Sequence, residues 1–296
     1  MTSRRVFVCG ALLAALFGSG PARAVDAGRW IVSPAEAADL VRSGALVLDA
    51  RASPLAFVDR PAGALPVAWQ DFTEPDFPNI GRLIADDAEL SRRLQALGVR
   101  PNVPVLVLGD PIDGWGEEGR VTWMLRTLGH DGAVAVDSGL PALRDYGLPA
   151  IRPATLPGDF VVHRRPDLDI DREALRSELN QPDLVLLDAR EPAEFAGATP
   201  HGEGRGGHIP GAKNLWYRDL QGPDGRLLPA DVLKAKLAAL GIAPGTEVVA
   251  YCSAGVRAGW VTTVLNDLGY RARNFAGSMW DWSAGDPARF PLQSGD

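Results

Sequence analysis

The chain repeats itself, and the repeat limits its fold more than any other feature. GALVLDARASPLAF, Gly44 to Phe57, and PDLVLLDAREPAEF, Pro182 to Phe195, both run from an apolar stretch into Asp-Ala-Arg, a polar turn and a Phe. Asp49 and Asp188 lie 139 positions apart, as do Arg51 and Arg190. Gly63-Ala64-Leu65-Pro66 is echoed by Gly207-His208-Ile209-Pro210, Leu128-Gly129-His130 by Leu268-Gly269-Tyr270, and Ser138-Gly139 by Ala276-Gly277. The offsets stay between 138 and 144, so one domain-sized unit is used twice and a short solenoid repeat is excluded. At 296 residues the chain has room for two such units and not for three large ones.

Each unit alternates two periods. Pro34 to Val41, Asp87 to Leu97, Gly119 to Leu128, Asp171 to Leu179, Ala230 to Leu240 and Gly255 to Leu268 read as helices. Ser33 and Asp169 or Asp171 stand as caps, and Gly98 and Gly241 as stops. Leu46 to Leu48, Val103 to Leu108, Leu184 to Leu187 and Glu247 to Tyr251 are apolar, strand-like runs. Continuous apolar strands alternating with helices predict an α/β fold: a parallel sheet in each unit, flanked by helices on both faces. The units divide as residues 25–150 and 169–296, with a proline-broken linker over 151–168.

The first 24 residues read as an export signal. Arg4 and Arg5 precede the apolar run Val6 to Phe17, and Ala22-Arg23-Ala24 resembles a cleavage site. The run is too short to span a bilayer, so no stable membrane insertion is expected after cleavage. Ser3-Arg4-Arg5-Val6-Phe7 has the twin-arginine pattern, although an ordinary signal is the plainer reading. A periplasmic or secreted protein is expected. With 30 basic and 37 acidic residues the formal net charge is −7, which argues against nucleic acid as a partner.

The chain has two cysteines, and cleavage would remove Cys9. The mature protein then keeps Cys252 alone, in AYCSAGVRAGW, Ala250 to Trp260. A lone thiol in an oxidising compartment is either a small buried hydrophobe or a reactive group. Its place decides for the second. Cys252 follows a strand and precedes a helix, at the strand ends where ligands bind in α/β sheets. The free N–H groups and positive dipole of a helix N-terminus favour an anion there, and hence the thiolate nucleophile. Ser253, Ala254 and Gly255 are small enough for the backbone to curl around one atom. Arg257 adds a forked cation for an oxyanion. This set suits a thiolate or persulfide anion acting on a small anionic substrate.

With these residues in place the chain resembles the tandem-domain rhodanese sulfurtransferases over nearly all of its mature length. In that family a Cys opens a six-residue loop, here Cys252 to Arg257. Asp188-Ala189-Arg190 followed by Glu194-Phe195, and Gly207 to Ala212 followed by Asn214, match its other signatures. The resemblance implies two tandem rhodanese-like domains, of which only the second is catalytic. It implies that Cys252 takes a sulfane sulfur from thiosulfate, carries it as a persulfide, and passes it to cyanide or a thiol, with a protein acceptor also in view. No cofactor is implied beyond that covalent intermediate. Backbone N–H groups of Ser253, Ala254, Gly255, Val256 and Ala258 would stabilise the persulfide. Arg190, supported by Asp188, together with Arg257 and Arg205, would bind the donor.

The loop is neither of the two familiar tandem types. It lacks the early basic residue of thiosulfate enzymes and the Gly-Ser of 3-mercaptopyruvate enzymes. Thiosulfate is favoured because Arg257 supplies charge; 3-mercaptopyruvate and a non-turnover persulfide carrier or binding protein are the alternatives. A related phosphatase needs five residues between Cys and Arg, whereas four stand here. Gly109 to Glu118, after the matching strand of the first unit, contains no Cys and several acids, so that unit is read as a wall of the cleft. No histidine pairs with a cysteine at metal-ligand spacing, so no metal is expected. Trp280 and Trp282 are placed at the cleft, and Glu191 and Glu194 at a helix start.

Overall fold

The computed structural model describes residues 25–52 and 56–295, so the export segment and Cys9 lie outside the described residues. The first unit runs β1 (Ile31–Val32), α1 (Pro34–Ser43), β2 (Leu46–Asp49), α2 (Ala56–Asp59), β3 (Leu65–Pro66), α3 (Asp87–Ala96), β4 (Val105–Leu108), α4 (Glu117–Thr127), β5 (Ala133–Val136) and α5 (Gly139–Tyr146). The second runs α6 (Arg172–Glu178), β6 (Leu184–Asp188), α7 (Pro192–Ala196), β7 (Lys213–Asn214), α8 (Ala230–Ala239), β8 (Glu247–Tyr251), α9 (Val256–Asp267), β9 (Arg271–Asn274) and α10 (Ser278–Ala284). The helix starts have local causes. Ser33 and Glu36 form a capping box on α1, and Asp171 accepts from the Ala174 N–H to cap α6.

Both sheets are parallel. Their strand orders are β1-β5-β4-β2-β3 and β7-β6-β8-β9. Successive strand residues enter opposite cores. In β4, Val105 and Val107 pack with the α3 and α4 side, while Leu106 and Leu108 pack with the α1 and α5 side. In β8, Val248 and Ala250 face α8 and α9, while Val249 and Tyr251 face α6 and α10. This alternation is what a sheet covered on both faces requires.

The two units meet through α4 and α9, the equivalent helices of each. All of α4 is buried, and so is α9 from Val256 to Leu265. Glycines permit the close crossing. A Cβ on Gly119 would lie 2.5 Å from Trp260 Cα, and one on Gly259 would lie 2.9 Å from Arg120 Cα. The segment 151–168 is irregular up to a 3-10 turn at Pro166–Leu168, as its prolines require, but it is packed down. Gly158 donates to the Gln95 carbonyl at 2.7 Å, and Phe160 and Val162 join the first unit's core.

Candidate active site

The register of β6 on β8 sets the site. Asp188 pairs with Tyr251, so the chain leaves both strands at the same sheet edge and Cys252 is the first residue beyond it. The loop is held from behind by α10. The Ser278 hydroxyl accepts from the Cys252 N–H at 3.0 Å, and the Met279 and Trp280 N–H groups donate to the Cys252 and Ser253 carbonyls at 3.0 Å. Gly255 then turns with φ 75°, a left-handed conformation, and starts α9. Among the described residues, the backbone N–H groups of Ser253 to Ala258 find no hydrogen-bond partner. These are the free donors of a loop that opens a helix.

Cys252 is a free thiol, 2% exposed, in a cavity of about 290 Å³. Ser253, Ala254, Val256 and Arg257 line it from the loop, and His201 and Trp280 from elsewhere in the second unit. The first unit contributes Ala52, Trp69, Gln70, Trp115 and Glu117. The site thus lies between the units. Trp280 is at the cleft as expected, but Trp282 is fully buried, packing edge-on against Phe275 and Phe290.

Arg257 is in the pocket and is already paired. Its Nη1 and Nη2 bind Glu194 Oε2 and Oε1 at 2.6 and 2.9 Å, and Nη2 also donates to Ser253 Oγ at 2.9 Å. Burial alone would raise the Glu194 carboxyl, but the Arg257 bonds and charge outweigh it and hold it below its ordinary range. Ser253 Oγ donates to Glu203 Oε1 at 2.7 Å. The His201 ring meets Trp115 edge-on at 5.0 Å, with Nε2 3.8 Å from Glu194 Oε1. Glu194, which does start α7, thus has a second role that helix logic alone did not show.

Arg190 and Arg205 are placed elsewhere. Arg190 is fully buried, forked onto Asp188 at 2.6–3.1 Å and donating to the Gly207 carbonyl at 2.8 Å. The first unit carries the same fork, with Arg51 Nε and Nη2 each 2.9 Å from Asp49. A fork kept in a unit without a cysteine ties strand to loop, and neither copy lines the pocket. Arg205 spends its guanidinium on the carbonyls of Trp282, Ser283, Gly285 and Phe290 at 2.9–3.3 Å. Its expected donor contact is corrected by this placement: it clasps the C-terminal segment.

Counting back by the repeat of 139, Glu118 stands where the second unit has Arg257. It is buried, and Oε2 has no partner among the described residues. Burial, with the Glu117 charge beside it, pushes its carboxyl up to about 8. Near pH 4 the carboxyl is neutral in both folded and unfolded chains. Between its ordinary value and about 8 the unfolded chain ionises first, so folding stability is lost as pH rises through that window. Glu118→Gln should therefore melt like the parent at pH 4.5 and higher than the parent at pH 8, as read by thermal melts at both pH values.

Fold and site together define a class: a two-unit α/β protein with, among the described residues, one free thiol on a loop of unpaired N–H groups between the units. The Rhodanese-like domain family matches residues 171–285. A Pseudomonas aeruginosa "Probable 3-mercaptopyruvate sulfurtransferase" is 37% identical over 218 residues, 72% of this chain and 75% of that protein. A thiosulfate sulfurtransferase of the same species is 33% identical, over 68% and 74%. The Tum1 protein of Saccharomyces cerevisiae shares the fold with a TM-score of 0.76 at 18% identity, over 91% of this chain and 99% of that one. The chain belongs to the rhodanese family of sulfurtransferases.

Proposed function

We propose that the protein moves a sulfane sulfur from a small anionic donor to a thiophilic acceptor through a persulfide on Cys252. With thiosulfate, the Cys252 thiolate attacks the outer sulfur. A Cys–S bond forms, the S–S bond of the donor breaks, and its electron pair leaves on sulfite. Cyanide or a thiolate then attacks the outer sulfur of the persulfide, taking it and returning the Cys252 thiolate. Two easier displacements replace one. The observation that carries this reading is the run of free N–H groups from Ser253 to Ala258 beside a free thiol. Such donors stabilise the anion present between the steps. Working outside the cytoplasm, as residues 1–24 suggest, is part of the proposal.

Thiosulfate is the donor the charge of Arg257 favours. A second reading rests on Glu194, which takes up much of that charge. A dianion gains less from a neutralised pair than from a free cation, so the monoanion 3-mercaptopyruvate gains ground in a pocket walled by Trp69, Trp115 and Trp280. Steady-state kcat/KM with each donor, cyanide being the common acceptor, separates them. A ratio above about tenfold either way names the donor, since tenfold corresponds to ~1.4 kcal/mol. A single turnover with neither recycling would favour the carrier reading; a Thermus thermophilus relative, 28% identical, is named a sulfur carrier protein.

A further inference from the structure

Arg120 lies on α4 of the unit that has no cysteine, and it is fully buried. Its Nη2 donates to the Gly81 carbonyl at 2.6 Å and its Nη1 to the Gly255 carbonyl, in the Cys252 loop, at 3.3 Å. The guanidinium lies 4.6 Å from the Trp123 ring centre and 5.6 Å from that of Trp69. Nε has no partner, and no carboxylate pairs with the side chain among the described residues. Burial lowers the guanidinium to about 10, so it keeps its charge near neutral pH. Two acidic groups are coupled to it from further away, Asp169 and Cys252.

A buried cation without a counter-ion is costly, and the cost is recovered only where an anion appears. The loop is shaped to let the cation in. A Cβ on Gly255 would lie 2.8 Å from Arg120 Nη1 and 2.6 Å from the Ala276 carbonyl. Around Cys252, Glu117 and His201 share the pocket, and Arg257 is matched by Glu194, with Glu203 behind Ser253. Arg120 is the cation beneath the loop with no carboxylate of its own. We propose that Arg120 is a positioning residue for sulfur transfer, supplied across the interface by the first unit. It acts in two ways: its charge favours the anionic forms of Cys252, and its Nη1 bond, beside those of Asn274 Nδ2 at 3.0 Å and the Gly259 N–H at 3.1 Å, helps to fix the Gly255 carbonyl so that the loop N–H groups stay turned to the sulfur. The assignment rests on the reading of Cys252 as nucleophile.

The test is the rate of Cys252 alkylation by iodoacetamide at pH 8, which needs no sulfur donor, alongside thiosulfate–cyanide turnover. Arg120→Gln keeps a donor and loses the charge; alkylation and turnover should both fall about tenfold. Arg120→Lys should stay within about threefold of the parent, because it keeps the charge. Burial pushes the Asp169 carboxyl up to about 6, so it is ionised at pH 8 and competes for Arg120. Asp169→Asn should then speed alkylation about twofold to threefold. Parental alkylation in Arg120→Gln, or an equal loss in Arg120→Lys, would overturn the assignment. Should Arg120→Gln fail to fold, an unchanged rate in Asp169→Asn would overturn it instead. A parent protein that alkylates readily but transfers no sulfur would sink the functional reading and leave the charge effect of Arg120 standing.

Discussion

Cys252→Ser removes all transfer of sulfur from thiosulfate to cyanide, while the variant melts within a few degrees of the parent. The serine fits the space of the thiol, and the main-chain ties of residue 252 to Ser278 and Met279 do not involve Sγ. A hydroxyl at neutral pH is neither ionised nor able to accept a sulfane sulfur, so the covalent route is closed and not merely slowed. The expected loss is to the uncatalysed rate, measured as thiocyanate formed. Residual turnover in the variant would mean that sulfur passes through another group.

Arg257→Met has the second largest effect, and it acts on stability and activity together. It deletes both bonds to Glu194 and leaves a buried carboxylate with only the Glu191 N–H at 3.1 Å, Ser253 Oγ at 3.4 Å and His201 Nε2 at 3.8 Å as near polar neighbours. Breaking one side of such a pair costs about 3–5 kcal/mol. Loss of the cation beside the reacting sulfur should lower kcat/KM by about 10²-fold. Adding Glu194→Gln separates the two effects. The double variant no longer leaves the Glu194 carboxylate buried without its cation, so it should regain most of the stability while activity stays low. Urea unfolding and initial rates on the four members of the cycle measure the coupling. Activity returning in step with stability would mean that Arg257 only holds the loop.

Much of the fold was legible because it was written twice. The Asp49/Asp188 spacing, the apolar runs of β2, β4, β6 and β8, and the glycines after the helices all point to two parallel sheets. The position of Cys252 followed from the strand before it and the helix after it. The edge strands were harder. β1 and β7 are two residues long, and β9 reads Arg-Ala-Arg-Asn, with no apolar run to mark it. Such strands are set by the neighbour they pair with, not by their own composition.

The site was legible where one local segment builds it and obscure where distant segments meet. Glu194 and Glu203 reach the loop from 59 and 50 residues before Ser253. Trp69, Trp115, Glu117 and Arg120 come from the other unit, and no local pattern marks them as partners of Cys252. Arg205 was assigned to the donor by resemblance alone, and a position in the chain says nothing about where a long side chain ends; it ends on the C-terminal carbonyls. For Arg190 a signal was present. Its twin Arg51 sits in a unit with no nucleophile, so the shared Asp-Ala-Arg must serve what the units share, which is the fold.

The most direct test of the central claim is the intact mass of the protein after incubation with thiosulfate and no acceptor, with 3-mercaptopyruvate as the parallel donor. The account predicts a gain of one sulfur atom, located on the peptide that carries Cys252 and absent from Cys252→Ser. Cyanide should then remove it with one equivalent of thiocyanate formed. No mass gain with either donor, or an equal gain in Cys252→Ser, would contradict it.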